Sequence, residues 1–192
     1  MTDRRARRHE ATRQQILAAA WRLARAKGLT GWSLREVAQA VDMRAPSLYV
    51  YFDSKDAIYD AMFAQGCRQL LEHIDGIATD GDPHEILRRI AHAFFDFYVA
   101  DAARHQLLFL RVIPGFEPSA ESYALAQEAV DRLQEVLAEL GIERREPVDL
   151  WTAVLSGLAS QQVSNDPGGE RWARLIDPAV EMFLASELPA HR

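Results

Sequence analysis

Ser33-Leu34-Arg35-Glu36-Val37-Ala38-Gln39-Ala40-Val41-Asp42-Met43-Arg44-Ala45-Pro46-Ser47-Leu48 reads as two very short helices joined by a tight turn. Ser33 and Glu36 have capping-box spacing, and Trp32 and Val37 occupy the two staple positions around them. Together they predict a helix over about Leu34–Ala40. Pro46 is tolerated only in the first turn of a helix, where its missing N–H costs nothing. A second helix is therefore expected from Arg44 or Ala45 to about Val50. Helices this short bury little surface alone. Their main use is as a helix-turn-helix, whose second helix enters the major groove of DNA. Ala38 is small where the two must cross closely, and Val41, Met43 and Leu48 would seal the joint. An ordinary helical corner has the same outline, so the flanking residues decide.

Downstream, Tyr49-Val50-Tyr51-Phe52-Asp53-Ser54-Lys55 places phenols, hydroxyls and an ammonium around the end of the second helix. Such groups are good phosphate partners. Asp53 or Ser54 caps a longer helix, reaching His73 or Asp75, with Ile58, Met62, Leu70 and Ile74 on its buried stripe. Lys55 stands in its first turn, where the helix dipole disfavours a cation. A phosphate beside it would remove the conflict. Upstream, Ile16, Leu17, Ala20, Leu23 and Ala24 form one stripe on a helix over about Thr12–Lys27. Gly28 follows where a left-handed cap is needed.

These residues resemble the DNA-binding domain of the tetracycline-repressor (TetR) family of bacterial regulators, over about Thr12 to Met62. The resemblance rests on Ile16, Leu17, Ala20 and Leu23, on Gly28 and Ser33, on Val37-Ala38, on Ser47-Leu48-Tyr49, and on Tyr51-Phe52 with Ser54-Lys55. It implies that Arg44, Ala45 and Ser47 face bases, with Val50 near the groove. It implies that Ser33, Tyr51 and Lys55 grip phosphates. Arg35 either joins them or is a solvated helix residue. Tyr49 and Phe52 are expected in the domain's small core, the Tyr49 hydroxyl within reach of a phosphate. Two positions depart from the family. Asp42 replaces the usual turn glycine, and Asp tolerates the left-handed conformation. Arg44 replaces a small hydroxyl residue and would reach either a guanine edge or a phosphate.

The whole chain has 192 residues, a formal charge of −6 and ordinary globular composition. Split by position, the charge is uneven. Residues 1–60 hold eleven Lys or Arg against seven Asp or Glu, whereas 61–192 hold eleven against twenty-one. Such asymmetry suits a chain of which one part meets a polyanion. Arg4, Arg5, Arg7 and Arg8 begin the basic part, either as a solubilising tail or as an arm along a DNA groove. No apolar run follows them and none approaches a membrane span, so the chain is expected in the cytoplasm, off the membrane. One cysteine, Cys67, excludes a disulfide framework and a four-cysteine zinc site. No histidine spacing suggests a metal, and no phosphate loop or nucleophile elbow suggests a cofactor or an enzyme.

The acidic part is helical in period throughout: about 83–100, 104–113, 120–140, 147–164 and 170–188, the last with a break before Pro178. The fold class is all-α with about nine helices, a helix-turn-helix domain over 1–60 and a second domain over 61–192. The resemblance implies that the second domain binds a small molecule and dimerises. Residues 107–113 are nearly all apolar and predict a central helix. A pocket would be lined by Phe94, Phe97, Tyr98, Phe109, Phe116, Tyr123 and Trp151, with His92 and Arg111 orienting an apolar or aromatic effector. The same aromatics also fit plain core. Ala153, Ser156, Gly157 and Ser160 permit close helix approach, and Trp172, Ile176, Val180 and Phe183 lie on the last helix. These eight form the expected interface of a homodimer. The reading is a regulator, most simply a repressor, released from a pseudo-palindromic DNA operator by a small molecule. A DNA-binding dimer without a ligand, or an activator, is the alternative.

Overall fold

A computed structural model of the chain describes residues 2–187. Among them all regular structure is helical. There are nine α-helices: α1 Thr2–Lys27, α2 Leu34–Ala40, α3 Ala45–Leu48, α4 Lys55–Asp75, α5 Pro83–Val99, α6 Ala102–Phe109, α7 Ala120–Glu139, α8 Glu146–Asn165 and α9 Ile176–Glu187. A single 3-10 turn, Ala173–Leu175, precedes α9. It takes up the break expected before Pro178, which sits in the first turn of α9. The expected end of this helix at Leu188 lies outside the described residues.

The helices form two compact units. One holds the residues up to 66 together with 103–123, and the other holds 67–102 and the residues from 124 on. The division expected at residue 60 put 103–123 with the acidic part. In the structure that stretch packs with the N-terminal helices.

In the first unit, Ile16, Leu17, Ala20, Trp21 and Ala24 of α1 are buried with Val37, Leu48, Ile58, Tyr59 and Met62. Gly28 ends α1 at φ +79°, the left-handed conformation that a Cβ disfavours. The sequence reading began α1 near Thr12, but the helix starts ten residues earlier. Residues 2–12 contain neither Gly nor Pro, and Arg, Ala and Glu are good helix formers. Gly66 lets α4 approach α6 closely, because a Cβ there would lie 3.1 Å from the Leu108 side chain.

The helix expected over 104–113 ends at Phe109. The residue before a proline is pushed out of helical geometry, and Pro114 imposes that on Ile113. Leu110 and Val112 are then exposed, so only the first part of this apolar run is core.

In the second unit, α5 is held by its buried face of Ile86, Leu87, Ile90, Phe94, Phe97 and Tyr98. It packs against α8 and α9. Asp82 caps its start through the His84 and Glu85 amides. Gly141, at φ +85°, closes α7.

Candidate functional site

The helix-turn-helix is assembled by local rules. Ser33 Oγ accepts from the Glu36 amide at 3.3 Å, and the Glu36 carboxylate accepts from the Ser33 amide at 2.9 Å. Lys27 also binds the Glu36 carboxylate. These bonds, Lys27 first and Ser33 next, hold the Glu36 carboxyl down at about 2, well below the usual carboxylate range. Replacing Ser33 by Ala is expected to remove about 1 kcal/mol of stability, measured by urea unfolding. A loss near zero would show that the cap does not hold α2.

The turn is closed by Asp42 at φ +57°, among the described residues the one non-glycine in the left-handed region. The Asp42 amide reaches Gln39 O at 3.2 Å and the Met43 amide reaches Ala38 O at 2.8 Å. This is a Schellman closure with aspartate in the glycine position.

Pro46 lies in the first turn of α3, and Leu48 is fully buried in the joint. The second helix is shorter than expected, ending at Leu48 rather than Val50. The chain then turns tightly, with the Tyr51 and Phe52 amides both bonded to Leu48 O. That turn changes one assignment. Phe52 is buried, as expected, but Tyr49 is 51 % exposed and Val50 is 70 % exposed. Tyr49 is therefore a surface residue rather than core.

Arg44, Ser47, Tyr49 and Val50 form an exposed edge, with Ala45 half-buried beside them. Arg44 stands at the N-cap of α3 and makes no capping bond. Arg35 and Ser33 are exposed on or before α2.

Lys55 differs from the sequence reading in a useful way. Its ammonium donates to Trp32 O at 2.7 Å and to Thr30 O at 3.4 Å, and lies 4.3 Å from the Trp32 ring centre. Carbonyls of the α1–α2 connection, rather than a phosphate, offset the unfavourable end of the α4 dipole. Burial lowers its pKa. Tyr59, one turn further along α4, donates its hydroxyl to Leu29 O and packs on Trp32. Burial pushes its phenol up to about 12. Sequence periodicity picked out Ile58 and missed Tyr59 as an anchor of the same connection.

The residues expected to line a pocket are divided between the units. Phe109, Arg111, Phe116 and Tyr123 belong to the first, and His92, Phe94, Phe97, Tyr98 and Trp151 to the second. In the second unit the aromatics are buried and stack edge to face, Phe94 on Tyr98 at 5.9 Å and Trp151 on Phe183 at 4.8 Å. Burial raises the Tyr98 phenol. Neither polar group is inside. His92 Nε2 lies 2.9 Å from Asp177 Oδ1 at the surface. Arg111, carried onto an exposed loop by the early end of α6, pairs with Glu117 at 3.7 Å. Tyr123 is also exposed. Among the described residues, no three His, Cys, Asp or Glu side chains gather as a metal site. Cys67 is buried, and burial pushes its thiol up to about 12.

The expected dimer residues separate by face. Ala153 and Gly157 are exposed, and Ser156 and Ser160 are half-buried. On α9, however, Ile176, Val180 and Phe183 lie in the core of their own unit, and Trp172 is half-buried. Val180 and Phe183 nonetheless form part of the floor of a groove between α8 and α9, whereas Ile176 does not line it. The outward stripe is Leu175, Ala179, Met182 and Ser186. With Leu150 and Val154 of α8, most of it lines this apolar groove of about 200 Å³.

Residues 16–62 match the family model described as bacterial regulatory proteins, tetR family. An uncharacterized HTH-type transcriptional regulator, YobS of Bacillus subtilis, is 26% identical over 101 residues, 53% of each chain. The HTH-type nicotine-responsive transcriptional repressor HdnoR of Paenarthrobacter nicotinovorans is 32% identical over 98 residues, 51% of this chain and 49% of that one. The chain thus spans about half the length of the curated relatives it matches. A tetR-family transcriptional regulator from Streptomyces coelicolor shares the fold with a TM-score of 0.74 at 21% identity, over 92% of this chain and 80% of that one.

Proposed function

We propose that this chain, whose N-terminal domain and all-α fold are those of the tetR family of bacterial regulatory proteins, is a dimeric transcriptional regulator that binds a DNA operator and releases it when a small molecule binds. The observation that carries the DNA-binding part is the capped helix-turn-helix with its exposed edge of Arg44, Ser47, Tyr49 and Val50. Arg44 at the start of α3 is the group that reads a base edge, since the N-terminal residues of a recognition helix meet the bases. Ala45 and Val50 offer methyl contacts to thymine, and Ser33, Arg35 and Tyr51 border them as phosphate partners, while Lys55 holds the α1–α2 connection in place.

A second copy meets the apolar groove of α8 and α9 through Leu150, Val154, Ala179 and Met182. The dimer presents two recognition helices to a pseudo-palindrome in the cytoplasm. Among the described residues, no helix is long and apolar enough to cross a membrane.

A small-molecule effector acts by linkage, and a tenfold loss of operator affinity needs about 1.4 kcal/mol of differential binding. The nicotine response of one relative supports an aromatic effector. Helix α4 supplies residues to both units and is the route for that bias. A ligand-independent DNA-binding dimer is the second reading. The close packing of Phe94, Phe97, Tyr98 and Trp151 favours it.

Random-sequence selection with the purified chain is expected to enrich a palindromic duplex, and failure to enrich one overturns the operator reading. On the selected duplex, Arg44→Ala is expected to cost about 1–3 kcal/mol, roughly 5- to 150-fold in Kd, and to relax preference at one base pair of each half-site. Uniform weakening on all sequences would instead make Arg44 a phosphate contact.

A further inference from the structure

The first three turns of α1 extend the helix-turn-helix as a basic rod, and its side chains are exposed from Arg4 to Ala11. Its seat is fixed at the end of the recognition element. The His9 ring stacks on Tyr51 at 4.7 Å between centres. Arg13 donates to Tyr51 O at 2.9 Å and covers the Phe52 ring at 4.2 Å. His9 and Arg13 are four residues apart, so they share one line of the helix.

Continued one turn outward, that line reaches Arg5, with Arg8 beside it. Arg7 falls roughly 160° away, on the reverse of the rod, because successive residues turn by about 100°. The arginines are therefore not equivalent. Arg5 lies on the face that carries the contacts to Tyr51, Arg8 lies on its flank about 100° round from His9, and Arg4 and Arg7 lie behind, about 140° and 160° from His9.

We propose that α1 binds duplex DNA as a helix, laying its Arg5–Arg8 face on the phosphates next to those met by Tyr51, rather than as an extended arm threaded into a groove. The partner follows from charge and continuity. A basic helical face prolongs a DNA-reading edge, and phosphates are the anion along that edge. His9 acts as a positioning residue, since its stack on Tyr51 fixes which side of the rod faces the DNA. The inference rests on the DNA-binding reading above and deepens it.

Phosphate contacts carry no sequence information, so any duplex tests it. The probe is a mixed-sequence duplex of about 40 base pairs, titrated with the full chain over a range of salt. Arg5→Ala with Arg8→Ala is expected to weaken binding and reduce the slope of log K against log salt by about 1.8 per protomer. Arg5→Lys with Arg8→Lys keeps the slope, and Arg7→Ala leaves it unchanged. Equal losses for Arg5→Ala and Arg7→Ala would show a flexible tail and overturn the proposal, as would an unchanged slope in the double alanine variant. If the chain still selects a palindromic site in that case, the DNA-binding reading stands and only this inference fails. A wild-type chain that binds no duplex overturns both.

Discussion

Gly157→Trp is expected to turn the proposed dimer into a monomer without disturbing the protomer. Gly157 lies on α8, and a Cβ added there meets nothing within 4 Å. Within one chain the substitution should be mildly stabilising, because glycine inside a helix costs about 0.5–1 kcal/mol relative to alanine. Any loss of assembly therefore has to come from a second copy. Gly157 continues the line of exposed Leu150 and Ala153 and half-buried Val154 at helical spacing. An indole there holds the partner helix away from the close approach that small residues permit. Solution scattering should report the monomer mass, and circular dichroism should report unchanged helix. Operator affinity should fall by roughly a hundredfold or more, since two half-sites joined in one dimer gain about 10²–10⁴ in avidity. Met182→Asp, which puts a charge on the opposite wall of the groove, is expected to give the same result. A dimer that survives both substitutions would overturn the assignment of this face.

The last helix also shows where a sequence stops being informative. Leu175, Ile176, Val180, Met182, Phe183 and Leu184 surround α9 with apolar side chains, so periodicity offers two stripes of similar quality. Choosing Ile176, Val180 and Phe183 selected the one that packs inward. The stripe of Leu175, Ala179 and Met182 is turned by about 100° from it, and only packing against α5 and α8 separates the two.

The helix-turn-helix was legible for the opposite reason. Its determinants act over three to six residues: a capping box at Ser33 and Glu36, a left-handed Asp42, a proline in the first turn of α3. Each is a local rule that needs no tertiary information. The aromatic run of α5 falls between these cases. Composition showed that Phe94, Phe97 and Tyr98 must be buried. It did not show whether they surround a ligand or one another.

Contacts between distant segments left no trace in the sequence at all. Lys55 has the residue type of a phosphate partner, yet its ammonium is engaged by Trp32 O, twenty-three residues away.

Asp60 is the strongest such case, and Asp60→Ala is expected to cost about 3 kcal/mol. Ser119 caps α7, its Oγ accepting from the Ser122 amide at 3.2 Å. Nothing near Ser119 in the sequence points to Asp60, 59 residues earlier. In the first unit the Asp60 carboxylate accepts from the Ser119 amide at 2.7 Å, from Ser119 Oγ at 3.0 Å and from Ser122 Oγ at 2.9 Å. One side chain of α4 thus meets three donors at the start of α7, and Ser122 is 5 % exposed. Hydrogen bonds to a charged acceptor contribute about 1.5–3 kcal/mol each, but three on one carboxylate are not additive. Truncation also leaves the Ser122 hydroxyl buried with a weakened set of partners, at its own cost. Asp60→Asn keeps the shape and one acceptor oxygen, so it should lose roughly half as much. Urea unfolding of the two variants measures both losses. The same α4 segment carries Lys55 and Tyr59, which hold the α1–α2 connection through Trp32 O and Leu29 O. Loosening α7 at Asp60 should therefore also speed amide exchange at Thr30 and Trp32. An alanine variant as stable as the parent, with unchanged exchange there, would show the three bonds to be incidental and α4 not to couple these segments.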